Sequence, residues 1–418
     1  MSPLIRHPWS APMPHSLSGP ISRRRFLRHS ATAATGLLLT ACADPLFVGP
    51  NNAWVTPTPT PTPVPTPIPL PTATPEPDAP LAVKLGQMIM VGFRGKGVAD
   101  DSPIVQTIRD RHLGGIVLID NADSRDQLLA LTTALQAAAS DLPLLIAIDQ
   151  EGGRVARLRE ANGFDASISA QILGKQDDVE VTRSQAEVMA KSLAEMGITL
   201  NLAPVVDLNL NPASPIIGGV GRSFSADPEV VTRHARAFVE AHHAQGVGCV
   251  LKHFPGHGSA AGDTHWGQVD ISDTWQESEL DPYRALADEK LADVVMVGHL
   301  FHRDLDPDHP ASLSRPIIDG LLRGQLGFGG VVMTDDLQMK AITDNYTFEE
   351  SVTLAVEAGA DILLFSQYRV GGENLVEKAV DHLAGLVEAG EIDMARINAS
   401  YRRILALKMG LGVARDAA

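Results

Sequence analysis

The sequence predicts an α/β fold, a (β/α)8 barrel of TIM type, preceded by a signal segment and a Pro/Thr-rich linker. Three observations carry the prediction. Beyond Leu81, apolar runs of strand length alternate eight times with longer amphipathic stretches, and several of those runs end in a charged or imidazole residue. The chain of 418 residues, 44% hydrophobic and 20% charged, also holds enough apolar material for one domain of roughly 250–340 residues plus appendages.

The eight runs are 87–93, 115–119, 144–149, 199–206, 248–253, 293–299, 330–335 and 361–365. Helical periodicity is clearest at 182–196 and at 228–245, where Asp227 and Pro228 open the pattern and Gly246 closes it. A doubly wound open sheet gives the same alternation, so pattern alone leaves both architectures open. No internal repeat of fixed period is present. Asp149, Asp207, Lys252, His253, His299 and Asp335 fall at or just past strand ends. In a barrel these ends converge on one mouth, where active sites are built. Asp207 and His299 suit a structural hydrogen bond as well as a substrate contact.

The amino terminus reads as an export segment. Arg23, Arg24 and Arg25 precede Phe26, Leu27 and a small-residue, apolar run at 31–39, which is shorter than the roughly 20 apolar residues needed to span a bilayer. The residues 22–27 resemble a twin-arginine signal, and Leu39-Thr40-Ala41-Cys42 resembles a bacterial lipobox with Cys42 as the acylated first residue of the mature chain. The expectation is a lipoprotein signal peptide at 1–41, a lipid-anchored tether at 42–80 and a catalytic barrel at 81–418, with the exported protein held on the outer face of the cell membrane. Plain cleavage near Ala41 or Ala43, giving a free secreted protein, is the alternative.

Loss of 1–41 removes five arginines and no acid, so the formal charge falls from −16 to −21. A body this acidic is a poor partner for nucleic acid, which needs clustered Lys and Arg. With Cys42 acylated, only Cys249 remains, and no intramolecular disulfide can form. Between Thr56 and Pro80, proline recurs at nearly every second position up to Pro71. Proline fixes φ and removes donors, so this segment is expected to be a polyproline-II spacer with a reach on the order of 75 Å. Proline-reading partners and O-glycosylation of its threonines are the other readings of such a stretch.

The stretch with the most chemistry is 249–268. Lys252 and His253 stand where an apolar run ends, Pro255, Gly256 and Gly258 break the strand into a loop, and Asp263 and His265 sit two apart. That spacing lets the carboxylate hold the imidazole in one tautomer for proton transfer. A merely solvated polar loop would contain the same residues.

Residues 252–258 with Asp263, Thr264 and His265 resemble the K-H-F-P-G-H-G…D-S/T-H signature of glycoside hydrolase family 3, in its β-N-acetylglucosaminidase branch. The resemblance extends over about 81–411. Asp149-Gln-Glu-Gly-Gly-Arg-Val-Ala-Arg157 is similar to the family's D-x-E-G-G-R-V-x-R segment, departing at Gln150, where related enzymes often carry His; the change is expected to be tolerated. It implies substrate contacts for Asp149 and Arg157. Gly221-Arg222-Ser-Phe224 matches a second segment and adds Arg222, while Lys252 and His253 would hold ring hydroxyls. The stretches 310–314 and 322–332 also read like the family's approach to the seventh strand.

At 334–339 the pattern S/T-D-A/D-L-x-M implies Asp335 as nucleophile. Adjacent side chains alternate along a strand, so Asp336 is expected to brace the following helix. The resemblance implies retaining hydrolysis, with His265, steered by Asp263, as general acid/base in place of a second carboxyl. An imidazole titrates near neutrality and serves both steps. Relatives acting as β-glucosidases add a second domain that supplies an acid; here 401–409 look like the closing helix of the barrel domain, so a single-domain, histidine-loop enzyme is expected.

The implied function is a retaining exo-β-N-acetylglucosaminidase acting on non-reducing terminal β-linked GlcNAc in peptidoglycan fragments or chitooligosaccharides, as a monomer and with no cofactor. A β-N-acetylglucosaminide phosphorylase is an alternative, since a neutral imidazole repels phosphate less than a carboxylate does. So is a broader β-glycosidase. A catalytically silent sugar-binding lipoprotein would have no use for Asp263, His265 and Asp335. A zinc site at His253 and His257 is disfavoured, because Pro255 and Gly256 break the helix that an H-x-x-x-H ligand pair requires.

Overall fold

The computed structural model describes residues 79–139 and 142–413. The signal segment 1–41, Cys42 and the Pro/Thr-rich stretch as far as residue 78 lie outside the described residues. The apolar runs become parallel strands: β1 (Ile89–Phe93), β2 (Gly115–Leu118), β3 (Leu145–Ile148), β4 (Leu200–Asn201), β5 (Gly248–Phe254), β6 (Val294–Val297), β7 (Val331–Thr334) and β8 (Leu363–Phe365). Every residue in them is buried, as suits strands covered on both faces.

Neighbours in sequence are neighbours in the sheet, in the order β8-β1-β2-β3-β4-β5-β6-β7. Met90 lies opposite Gly115, Gly115 opposite Leu145, Leu200 opposite Gly248, and Val294 opposite Val331. The ring closes where Met333 meets Ile362 in a parallel bridge. There the Asp361 N–H donates to Val332 O at 2.7 Å and the Thr334 N–H to Ile362 O at 3.0 Å. Closure decides for the barrel and against the open sheet.

The helices are α1 (Leu81–Gln87), α2 (Pro103–Asp110), α3 (Arg125–Ala138), α4 (Ala170–Gln176), α5 (Val179–Glu195), α6 (Pro228–His243), α7 (Asp281–Asp288), α8 (Lys340–Thr343), α9 (Phe348–Ala358), α10 (Leu375–Glu388) and α11 (Met394–Gly410). A π-helical segment, Pro316–Gln325, joins β6 to β7. Asp178 caps α5 by accepting from the Glu180 and Val181 N–H groups, so this helix begins three residues before its apolar periodicity. Asp227 caps α6 with Pro228 in the first turn.

All the strands but β5 are shorter than their runs, and for two of them the cause is plain. Gln87 ends α1 and Met88 caps it, so β1 begins only at Ile89. The run 199–206 pairs as a ladder only at Leu200–Asn201. Pro204 has no N–H to contribute, and the chain meets β5 again through the Val250 N–H on Ala203 O and at the bridge between Val205 and Lys252. That excursion brings Asp207 beneath His253.

The floor of the barrel, at the amino ends of the strands, is closed by one lysine, whose ammonium burial pushes down to about 7. Lys408 of α11 is fully buried, and its Nζ donates to Gln87 Oε1, Gly114 O and Pro143 O. Lys408→Ala would leave Gln87 Oε1 and Pro143 O without a donor, Gly114 O keeping only the Leu145 N–H, and a void beside them. The expected cost is about 3 kcal/mol, read in denaturant unfolding, with kcat unchanged because the residue lies opposite the mouth. An unchanged midpoint would count against this closure.

Candidate active site

The mouth is built from the segments that follow β3, β4, β5, β6 and β7. Asp149 is the first residue past β3, and Lys252 and His253 lie at the carboxyl end of β5. The peptide between Lys252 and His253 is cis, and both side chains end among the polar groups of the mouth. Lys252 Nζ donates to Asp149 Oδ1 and to Glu151 Oε1, both at 2.7 Å. Arg222 grips the same Glu151 through two N–H groups, Nε to Oε2 and Nη2 to Oε1, each at 2.8 Å. Its Nη1 donates to Ile216 O at 3.0 Å. Arg157 Nη2 lies 3.8 Å from Asp149 Oδ2.

Burial alone would raise the Glu151 carboxyl, but Arg222 and Lys252 overcome it and hold the group far below the usual carboxylate range. Burial likewise opposes the charge on Lys252, and Asp149 and Glu151 raise it nonetheless. The result is a buried patch of three cations against two carboxylates, all oriented before any ligand arrives.

Gln150, between the two acids, points the other way. Its Oε1 accepts from the Arg157 and Leu158 N–H groups at 2.8 and 3.0 Å, and its Nε2 donates to Leu158 O at 3.1 Å. Glutamine at this position therefore folds the loop that carries Arg157.

Asp207, 1% exposed, is a structural hub. Its Oδ1 accepts from the His253 and His257 N–H groups at 3.0 and 2.8 Å, and its Oδ2 faces His253 Nδ1 at 2.7 Å. On the other side of that ring, Arg222 Nη2 approaches His253 Nε2 at 3.2 Å. A guanidinium can only donate, so Nε2 accepts and the proton sits on Nδ1, given to Asp207. His299 is similarly committed, with Nδ1 2.7 Å from Ser312 Oγ and Nε2 2.8 Å from Asp336 O. Burial pushes its imidazole down. Both residues whose role the sequence left open are thus held by protein partners.

The loop after β5 is pinned along its length. Gly258 packs against the chain after β4, where a Cβ would lie 1.6 Å from Leu208 O. Gly256 has φ +128°, and a Cβ there would meet Glu279 Cβ at 2.6 Å. Trp275 Nε1 donates to Pro255 O at 2.9 Å, and the Gly258 N–H donates to Glu279 Oε2 at 3.1 Å. The Ala341 N–H ties Thr264 O to α8 at 3.2 Å. Between these ties, Asp263 Oδ1 accepts from both the His265 N–H and its Nδ1, at 2.9 and 2.7 Å. His257, 2% exposed, stands edge-on to His253, and burial pushes its imidazole down to about 4.

Asp335 follows β7, with its N–H on Val297 O at 2.9 Å and its Oδ1 accepting from the Asp336 N–H at 2.8 Å. Burial opposes ionisation, yet His299, His253 and His265 lower the carboxyl to about 2, together with the Asp336 N–H. Asp336 turns away and accepts from the Gln338 and Ser366 N–H groups at 3.0 and 2.9 Å, bracing the start of the next segment against β8.

His253 is occupied by Asp207 and Arg222, and among the described residues no three His, Cys, Asp or Glu side chains gather as a metal site.

Comparison with known proteins is decisive at this point, for residues 80–407 match the model of the glycosyl hydrolase family 3 N terminal domain. The chain belongs to glycosyl hydrolase family 3. Among curated relatives, the β-hexosaminidase LpqI of Mycobacterium tuberculosis is 37% identical over 335 residues, 78% of this chain and 82% of the relative. A family 3 β-N-acetylglucosaminidase from a Paenibacillus species superposes with a TM-score of 0.75 at 38% identity, covering 81% of this chain and 64% of that one. A β-N-acetylhexosaminidase from Beutenbergia cavernae gives 0.73 at 34%, covering 79% and 99%.

Of the residues singled out in the sequence, the structure gathers Asp149, Arg157, Arg222, Lys252, His253, Asp263, His265 and Asp335 at one mouth. Sequence reasoning passed over Glu151 and Glu279, and weighed His257 only as a metal ligand. For Glu151 a signal existed: residues two apart on an extended chain share a side, so it accompanies Asp149 while Gln150 does not. His257 and Glu279 acquire meaning only from what the folded loop packs against them.

Burial, joined by the nearby Asp207 carboxylate, pushes Glu279 from an ordinary 4.5 up to about 7, against the hydrogen bonds it accepts. Between these values the native state keeps a proton that the unfolded chain has lost, so this group's contribution to stability falls as pH rises through that window, by up to about 3 kcal/mol. Glu279→Gln should therefore gain on the wild type in unfolding midpoint between pH 5 and pH 8. A difference that stays constant with pH would mean that Glu279 ionises normally.

Proposed function

We propose that the protein is a retaining exo-β-N-acetylglucosaminidase that removes non-reducing terminal β-linked GlcNAc from peptidoglycan fragments or chitooligosaccharides. One observation carries the reading. An ionised carboxylate, Asp335, stands within electrostatic reach of an imidazole, His265, whose Nδ1 is tied to a second carboxylate, Asp263. The relatives, a β-hexosaminidase, a β-N-acetylglucosaminidase and a β-N-acetylhexosaminidase, support the substrate class.

In this reading Asp149, Arg157, Arg222 and Lys252 hold the terminal sugar by its hydroxyl and amide oxygens, and His253, with its ring nitrogens on Asp207 and Arg222, keeps the Arg222 guanidinium in place. The Asp335 carboxylate oxygen bonds to the anomeric carbon as the glycosidic C–O bond breaks, and His265 Nε2 gives its proton to the departing oxygen. Water then attacks the same carbon, His265 takes its proton, and Asp335 is released. Two inversions return the β-anomer. Asp263 keeps the imidazole in the tautomer that exchanges protons through Nε2 and stabilises the imidazolium.

The test uses full-length protein with aryl β-N-acetylglucosaminides and aryl β-glucosides, with and without phosphate. The N-acetyl substrate should be cleaved without phosphate, and Asp335→Asn should be inactive. His265→Ala should lose roughly 10²–10⁴-fold on a poor leaving group and little on one that needs no proton. Activity in Asp335→Asn, or an equal loss in His265→Ala on both leaving groups, would sink the mechanism.

The proposed setting is the outer face of the cell membrane, with a monomer anchored through an acylated Cys42 and lifted on the Pro/Thr-rich tether toward wall material. Cys42→Ser should move the protein from the membrane fraction to the soluble one. Retention in the membrane fraction would show that something else holds it there.

A further inference from the structure

The residue after His265 is out of keeping with its position. Trp266 is 57% exposed, and among the described residues it is the only aromatic side chain among the exposed large hydrophobics. Its neighbour is a cation: Lys340 Nζ lies 5.7 Å from the centre of the indole ring. The pair is held at the rim, because Thr264 O accepts the Ala341 N–H at 3.2 Å and so ties the His265 loop to the segment that follows Asp335. An exposed cation–π contact contributes only about 0.5–1 kcal/mol. That is a small return for leaving most of an indole in water, so the fold does not account for the pair.

Its place beside the chemistry does. On the hydrolase reading the terminal sugar lies inward, among Asp149, Arg222 and Lys252, and the bond to be broken lies between Asp335 and His265. The leaving group begins at the oxygen that His265 protonates and must extend outward past the next residue. A pyranose presents a face of C–H groups that packs on an indole, as amphipathic ligands do on aromatic side chains. The ammonium beside the ring favours a leaving sugar that carries a carboxylate.

We propose that Trp266 and Lys340 form the leaving-group subsite, Trp266 stacking on the pyranose ring and Lys340 pairing with a carboxylate substituent on it. This rests on the hydrolase reading above and names what that reading leaves open, the chemistry of the group beyond the scissile bond.

The experiment compares kcat/KM of full-length wild type, Trp266→Ala, Trp266→Phe and Lys340→Ala on three substrates. These are the β-glycosyl fluoride of GlcNAc, which has no leaving sugar; GlcNAc β-1,4-linked to GlcNAc; and GlcNAc β-1,4-linked to a carboxylate-bearing N-acetylhexosamine. Trp266→Ala should lose about tenfold on both disaccharides, through KM, and keep its rate on the fluoride, with Trp266→Phe restoring most of the loss. Lys340→Ala should lose activity on the acidic disaccharide alone. Equal losses on fluoride and disaccharides would show general damage to the loop and overturn the subsite. So would a wild type active on all three with Trp266→Ala unchanged, whereas a Lys340→Ala loss equal on both disaccharides would overturn the charge pairing. A wild type inert on all three would overturn the hydrolase reading and the subsite with it.

Discussion

A single buried carboxylate organises the mouth of this barrel. Glu151 receives two N–H groups of Arg222 and the ammonium of Lys252, and Lys252 in turn binds Asp149. Breaking such a cluster by removing one partner leaves an uncompensated charge in a low-dielectric place, a loss of about 3–5 kcal/mol in comparable buried pairs. The loop after β3, the turn carrying Arg222 and the end of β5 are therefore locked to one another. A ligand that enters meets donors and acceptors already aimed, so little ordering remains to be done when it binds.

Asp207 does for the imidazoles what Glu151 does for the cations. By accepting from two backbone N–H groups and from His253 Nδ1, it sets both the path of the chain after β5 and the tautomer of a ring at the site. The same logic recurs at Asp263, whose one oxygen takes both the His265 backbone and ring N–H groups. In each case a short acid turns a mobile imidazole into one with a fixed donor side. Asp335 then sits, half-buried, among rings whose proton positions are assigned by their neighbours.

The parallel strands were legible because strands buried on both faces must be apolar and of limited length, and 144–149 or 330–335 carry that pattern without ambiguity. Element ends were less so. The fourth run is apolar through Val206, yet Pro204 withdraws it from the ladder, and local hydropathy carries no mark of that loss. The catalytic loop was legible through the spacing of Asp263 and His265 and through its family likeness. Glu279 was not, since an acid in an amphipathic stretch looks like any surface residue until Gly256 and Gly258 press the loop against it.

By itself the sequence determined the chemistry available: which strands would exist, which of their ends carry acids, cations and imidazoles, and that Asp263 and His265 lie close enough to pair. These are local properties, governed by hydropathy and by spacing along the chain. Only the tertiary structure decided that the alternation closes into a ring rather than an open sheet, that Asp207 and His299 are supports, and that Glu151 binds Arg222 and Lys252. Those outcomes depend on contacts between residues far apart in the chain, where burial makes each unpaired polar group costly and so selects the one arrangement in which the charges meet.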